Sequence, residues 1–386
     1  MRKARRGQVD PFIVMDVMEA ARALEAGGRR IIHMEVGQPG TPAPEAARAA
    51  LVHAMAEESL GYTVALGLPA LRARIARMYG DRHGVDLDPG RVVVTSGSSA
   101  AFILAFTALF DAGSRVGIGA PGYPSYRQIL RALDLNAVDI PARAEARYQV
   151  QVADLAGQDL QGLLMASPAN PTGTMLSRDD LARLMGWARD TGAAFISDEI
   201  YHGITYGTRA VSALELGDDC YVINSFSKYW SMTGWRVGWM VVPEDHVRMV
   251  ERLAQNLFIC PSHAAQVTAL AAMDCDAELQ DNLAVYAANR ALMLEALPPM
   301  GFDRIAPPDG AFYIYADVRH LTDDSRAFAA QILQEAGVAV TPGLDFDPER
   351  GAGTLRFSYA RATGDIIEGL ARLAAFMADY QGRRHG

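Results

Sequence analysis

Apolar positions follow two rhythms along this chain. From about residue 90 to 260, short continuous runs rich in Val, Ile and Leu alternate with longer amphipathic stretches. The runs at Arg91–Thr95, Arg115–Gly119, Ala137–Ile140, Leu163–Ala166, Ala194–Ser197, Tyr221–Asn224 and Val237–Val242 predict strands. Between them, Ser99–Phe110, Ser125–Leu133 and Asp179–Asp190 predict helices, the third opening on a Ser177/Asp180 capping pair. The runs do not alternate strictly with polar residues, so the predicted strands are covered on both faces. Strand–helix–strand repetition then implies an α/β fold with a mostly parallel sheet.

Beyond Pro261 the period lengthens. Ala277–Leu297 predicts a long helix, followed by a strand at Ala311–Ala316, a helix at Ser325–Ala336, a strand at Thr354–Tyr359 and a last helix from Asp365. That is a smaller α+β unit. The first forty residues carry no strand series of their own and are expected to pack against it. The expected division is an N-terminal segment 1–40, a large domain 41–276 and a small domain 277–386. Two units also suit 386 residues, more than one core usually serves. No Gly/Ser linker separates them, so a cleft between touching domains is expected.

The net charge of −9 argues against a general affinity for nucleic acid or anionic membrane. Arg2, Lys3, Arg5 and Arg6 form a local basic cluster, but no apolar stretch follows it as a secretory signal would need. The cluster reads as a solvated arm. The longest apolar run, Ala100–Phe110, is far short of the roughly 20 residues that span a bilayer. Cys220, Cys260 and Cys275 are too few and too scattered for a disulfide framework, which suggests a reducing, cytoplasmic setting and buried thiols. No CxxC or HExxH spacing supports a metal site.

Lys228 follows the apolar run CYVIN, and Arg236 comes eight residues later, beyond a small turn. A lone lysine at a strand end is usually a solvated edge residue. Desolvated by Phe226, Trp230 and Trp235, its amine would be neutral enough to attack a carbonyl. A guanidinium that grips phosphate bidentately, with hydroxyls from Ser225 and Ser227, makes the pair suit an aldehyde cofactor carrying a phosphate. Val92–Phe110 reads as a strand, a tight turn and an apolar helix; with Ser98 and Ser99 its N-terminus is either an anion site or an ordinary serine-capped turn. Gly117-Ile-Gly119-Ala-Pro-Gly122 matches GxGxxG formally, but its prolines leave no helix opening inside the motif, as a dinucleotide site requires.

SPANPTG, Ser167–Gly173, is a rigid loop presenting Asn170. In ISDEIY, Asp198 emerges at the carboxyl end of a predicted strand, where open α/β sheets bind ligands. A carboxylate there pairs with a protonated ring nitrogen and keeps the ring an electron sink. Tyr201 stands within reach of the same ligand, and Glu199 reads as a surface residue. Arg356, inside the strand-like TLRFSY, needs a carboxylate partner, either the protein's own or a ligand's.

Taken in order, GQPG (37–40), YTVALGLPALR (62–72), TSGSSAAF (95–102), APGYPSY (120–126), SPANPTG, SDEIY, SFSKYWSMTGWRVG (225–238), PPDGAFYIYAD (307–317) and LRFSYA (355–360) resemble the class I/II pyridoxal-phosphate aminotransferases of fold type I, from about residue 30 to 375. The resemblance implies an aspartate aminotransferase-like fold with a seven-stranded sheet between helices, pyridoxal 5′-phosphate as cofactor, and ping-pong transfer of an amino group between an L-amino acid and a 2-oxo acid. Lys228 then forms the imine with the cofactor and moves the proton. Asp198 partners the ring nitrogen, Asn170 and Tyr201 bond the phenolate oxygen, and Ser98, Ser99, Ser225 and Arg236 hold the phosphate. Tyr123 stacks on the ring, and Arg356 clamps the substrate carboxylate with the Gly37 backbone. Tyr62 matches a tyrosine reaching the neighbouring subunit's phosphate, which implies a homodimer with shared sites. Aspartate-preferring bacterial members carry lysine where Ser99 stands, so a dicarboxylate preference is not implied; Arg29, Arg30 and Arg209 remain as substitutes. A C–S β-lyase or decarboxylase on the same fold shares the first steps, and a non-catalytic regulator on this fold is the remaining alternative.

Overall fold

The computed structural model describes residues 1–385. Its largest sheet has seven strands, in spatial order Val92–Thr95, Gly238–Val241, Tyr221–Ser225, Ala194–Asp198, Gly162–Ala166, Arg115–Ala120 and Asn136–Pro141. These are the seven apolar runs, each shifted by one or two residues at most. Six run parallel, and Gly238–Val241 is antiparallel to both its neighbours. Val92–Thr95, Tyr221–Ser225 and Gly238–Val241 are buried along their whole length, which is why their sequences show continuous apolar runs. The formal GxGxxG begins in the strand Arg115–Ala120 and ends just past it, and the next helix opens only at Pro124.

The polarity of one strand places a key residue. Gly238–Val241 starts where its neighbours end, with Gly238 opposite both Thr95 and Ser225. Arg236, just before that start, therefore lies at the same sheet edge as the residues that follow Thr95 and Ser225.

A second, antiparallel sheet orders Thr341–Pro342, Thr354–Ser358, Tyr313–Asp317 and Arg304–Ile305. The helices Ser325–Ala336 and Thr363–His385 pack together beside it. The N-terminal segment departs from the expectation of no strand: Ile32–His33 pairs in parallel with Val338–Ala339. Two residues are too few to print a period on a sequence. The helix Ile13–Ala26 packs against the strands Val338–Ala339 and Thr341–Pro342. No helix among the described residues is long and apolar enough to cross a membrane.

Candidate active site

Four strands of the large sheet end on chemistry. Thr95 leads into the helix Gly97–Leu109, Ala166 into the Asn170 loop, Asp198 into Tyr201 and Ser225 into Lys228. Above that edge lies a cavity of about 200 Å³. Eleven residues picked from the sequence line it: Ser98, Ser99, Tyr123, Asn170, Asp198, Tyr201, Ser227, Lys228 and Arg236 from the large sheet's side, Gly37 from the N-terminal segment and Arg356 from the small sheet.

Lys228 sits inside this enclosure, with Nζ donating to the Gly37 carbonyl at 2.6 Å. Burial, with repulsion from Arg356 and Arg236, pushes its amine down to about 7. The rings nearest Nζ are not the tryptophans of its own segment but Tyr201 and Phe312, with centroids at 5.8 and 6.0 Å. Phe226, Trp230 and Trp239 instead pack together at 4.9, 5.1 and 5.6 Å. Such aromatic pairs are worth about 0.5–1.5 kcal/mol each beyond their buried area, and they brace the segment that carries the lysine.

Asp198 is buried. The Tyr126 hydroxyl donates to one carboxylate oxygen and the Ile200 amide to the other, at 3.0 Å for the amide. Burial still raises its carboxyl to about 6. Glu199 corrects the surface reading. It is 1% exposed, and its carboxylate accepts from the Ser197 and Ser212 hydroxyls and the Ala213 amide. Those last donors stand thirteen and fourteen residues further on, brought back by the fold.

Arg356 is 3% exposed and has no ion pair among the described residues. Its guanidinium donates to Asn170 Oδ1 at 2.8 Å, to Thr341 Oγ1 at 3.2 Å and to the Glu35 carbonyl, while Nε has no partner. A buried cation without a counter-charge is costly unless a ligand brings one. Among the described residues Arg236 likewise has no carboxylate partner, donating only to the Thr233 carbonyl at 3.0 Å. Beside it Gly97 adopts φ +76°, and a Cβ there would lie 2.3 Å from the guanidinium. Glycine keeps open a cradle of helix N-terminus, Ser98, Ser99 and Arg236, the equipment of an anion site.

Two sequence choices fall outside the cavity wall. Ser225 is fully buried, with its hydroxyl 2.8 Å from that of Ser227 and donating to the Val237 carbonyl at 3.1 Å. Ser227 reaches the wall in its place. Tyr62 is 85% exposed on the outer surface. Arg29, Arg30 and Arg209 do not line the cavity; Arg30 pairs with Asp365 and Glu368, and Arg209 with Glu215. Sequence reasoning missed Tyr126, Tyr313 and the apolar trio Phe12, Val14 and Met15, all on the cavity wall. The aromatics read as ordinary core, and the trio enters only because the N-terminal helix folds back over the opening.

Residues 29–373 match the family model of aminotransferase class I and II. The chain belongs to this family. A valine–pyruvate aminotransferase of Mycobacterium tuberculosis is 46% identical to this aminotransferase over 382 residues, covering 97% of this chain and 98% of the relative. A solved chain from Silicibacter pomeroyi is 70% identical with a TM-score of 0.94, over 98% of this chain and 100% of the other. The aspartate aminotransferase of Thermus thermophilus solved with maleate superposes with a TM-score of 0.90 at 27% identity, covering 97% and 100%. This aminotransferase thus has the fold-type I architecture, with its lysine, two arginines without carboxylate partners and a buried carboxyl converging on one cavity.

Proposed function

We propose that the cavity holds pyridoxal 5′-phosphate and that the enzyme moves an amino group between an apolar L-amino acid and a 2-oxo acid in two half-reactions. The observation that carries this reading is Lys228, an enclosed amine brought down to about 7 between two arginines that lack carboxylate partners. The residues fit the group. The Ser98–Ser99–Arg236 cradle has the donors for its phosphate, and Asp198, raised by burial, gains from a protonated ring nitrogen. Bound there, the cofactor supplies an aldehyde for imine exchange and a ring that withdraws electrons. Lys228 would take the proton from the substrate α-carbon and deliver it to the carbon on the other side of the transferred nitrogen. Asn170 and Tyr201 hydrogen-bond the phenolate oxygen, and Tyr123 packs on the ring. Arg356 and the Gly37 backbone orient the substrate carboxylate. In this scheme residues 41–276 carry the cofactor, while residues 277–386 and the 1–40 segment close over the substrate.

Two features support an apolar side chain. Lys228, Arg236 and Arg356, the cations on the cavity wall, already have roles, and Ser99 stands where aspartate-preferring relatives carry lysine. Phe12, Val14, Met15, Val36 and Ile200 give the rest of the wall an apolar surface. The valine–pyruvate relative agrees. Adding amino acids one at a time to the reconstituted enzyme and following the cofactor's spectrum tests this. Valine and alanine are expected to react at least about tenfold faster than aspartate, a discrimination of about 1–3 kcal/mol that an apolar pocket supplies. Faster conversion by aspartate sinks the preference.

A homodimer with shared sites belongs to the same proposal. Val52, Met55, Tyr62 and Val64 are exposed apolar residues, as are Leu257 and Ile259. His263 bonds the Gly61 carbonyl at 3.1 Å and joins the two segments into one surface. Apolar area of this kind is covered in most soluble proteins. In the proposed dimer Tyr62, on that surface, reaches the phosphate site of the partner subunit. Sedimentation is expected to give twice the 41.7 kDa chain mass, and a stable monomer at micromolar concentration would contradict it.

A further inference from the structure

Tyr313 opens one of the two inner strands of the small sheet, where an aromatic residue reads as core packing. Its contacts are more specific. Its hydroxyl lies 2.6 Å from that of Tyr201, its one hydrogen bond among the described residues. The Arg356 guanidinium sits over its ring, 4.4 Å from the centroid, and Phe312 and Tyr201 pack edge-on at 5.0 and 5.7 Å. On the far side is Gly37, where a Cβ would come within 1.9 Å of the Tyr313 hydroxyl. The backbone is fixed by pairing with Ser358. Tyr313 therefore has one position, and it touches the residues proposed to read the cofactor and the substrate.

Each phenol carries one proton to donate. If Tyr201 donates into the cavity, its contact with Tyr313 is closed only by Tyr313 donating to the Tyr201 oxygen. A donor behind a donor strengthens the bond ahead, by about 10–30% in condensed phase. It also fixes the rotor of the Tyr201 hydroxyl.

We propose that Tyr313 is a positioning residue, whose hydroxyl aims and polarises Tyr201 toward the cofactor's phenolate oxygen while its ring seats Arg356. This rests on the pyridoxal phosphate reading above. Through Tyr201, the hydroxyl favours the anionic form of that oxygen. The charged groups facing the pair are Arg356, Lys228 and Asp198, with Tyr123 also near Tyr313. A Tyr313→Phe variant keeps all of them and keeps the ring against Arg356.

The test is a pH titration of the reconstituted enzyme's visible absorbance, parent beside Tyr313→Phe. The midpoint is expected to move upward by about half a pH unit, the size of a weakened but unbroken bond to a charged oxygen. The thermal midpoint of the cofactor-free protein is expected to stay in place. An unmoved absorbance midpoint overturns the proposal, whatever happens to turnover. A shift that appears only with partial unfolding overturns it too, in favour of a structural role. If the parent enzyme itself shows no cofactor band, the cofactor reading fails, and that failure is distinguishable because it precedes any substitution.

Discussion

Lys228→Ala is expected to lower kcat by about 10⁴-fold, the upper end of what a positioned acid–base group contributes. The upper end applies because the same amine also serves covalent exchange with the substrate. Cofactor should still bind, since the Ser98–Ser99–Arg236 cradle and Asp198 are untouched. Stability should not fall, because the substitution removes a buried amine next to two guanidinium groups. The parent enzyme provides a pH test of the same residue. With its amine lowered from the ordinary 10.5 to about 7, the neutral nucleophile predominates above that value and is lost as pH falls below it. In cofactor-free protein, borohydride trapping of a simple aldehyde at Lys228 is expected to rise through a midpoint of about 7. Lys3 is the chain's other lysine, so peptide mapping separates the two labels. Near-normal transfer by Lys228→Ala, or a trapping midpoint near that of an ordinary lysine, would count against the assignment.

Most of the large sheet was legible because its strands are buried on both faces, which prints an apolar run with clear ends. The short pairings Ile32–His33 and Thr341–Pro342 were not, because two residues show no period and their partners are distant in sequence. Within the site, legibility followed chemistry. A lysine, an aspartate or an arginine in a strand context is conspicuous because burial of its charge needs an explanation. Tyr313 and Tyr126 were invisible, since tyrosine in an apolar run needs none. Glu199 misled for the opposite reason. Its solvation is replaced by Ser212 and Ala213, donors that no local pattern connects to it. Ser225 and Ser227 show the limit of spacing alone: two residues apart, both were named as donors, and only packing turns the Ser225 hydroxyl to the Val237 carbonyl and leaves Ser227 on the cavity wall.

Arg356→Lys is expected to reduce kcat/KM for amino acids by about 10²-fold, from the 2–5 kcal/mol typical of breaking a buried, hydrogen-bonded charge contact. The charge survives the change; the geometry does not. Arg356 holds three protein acceptors, on Asn170, Thr341 and Glu35, while presenting a fork to the cavity, and its plane lies against the Tyr313 and Phe346 rings at 4.4 and 4.7 Å. A lysine ammonium has three donors without the planar fork and stacks poorly. Most of the loss should appear in KM, because the substrate carboxylate is bound before and during the chemistry alike. An amine lacking the carboxylate supplies the control, since its slow reaction should be nearly unchanged by the substitution. The Asn170 contact predicts a smaller second effect: an amide released from Arg356 holds the cofactor's phenolate side less firmly, so the visible band should also shift. Unchanged KM with a large fall for the carboxylate-free amine would place Arg356 outside substrate recognition and leave its unpaired charge unexplained.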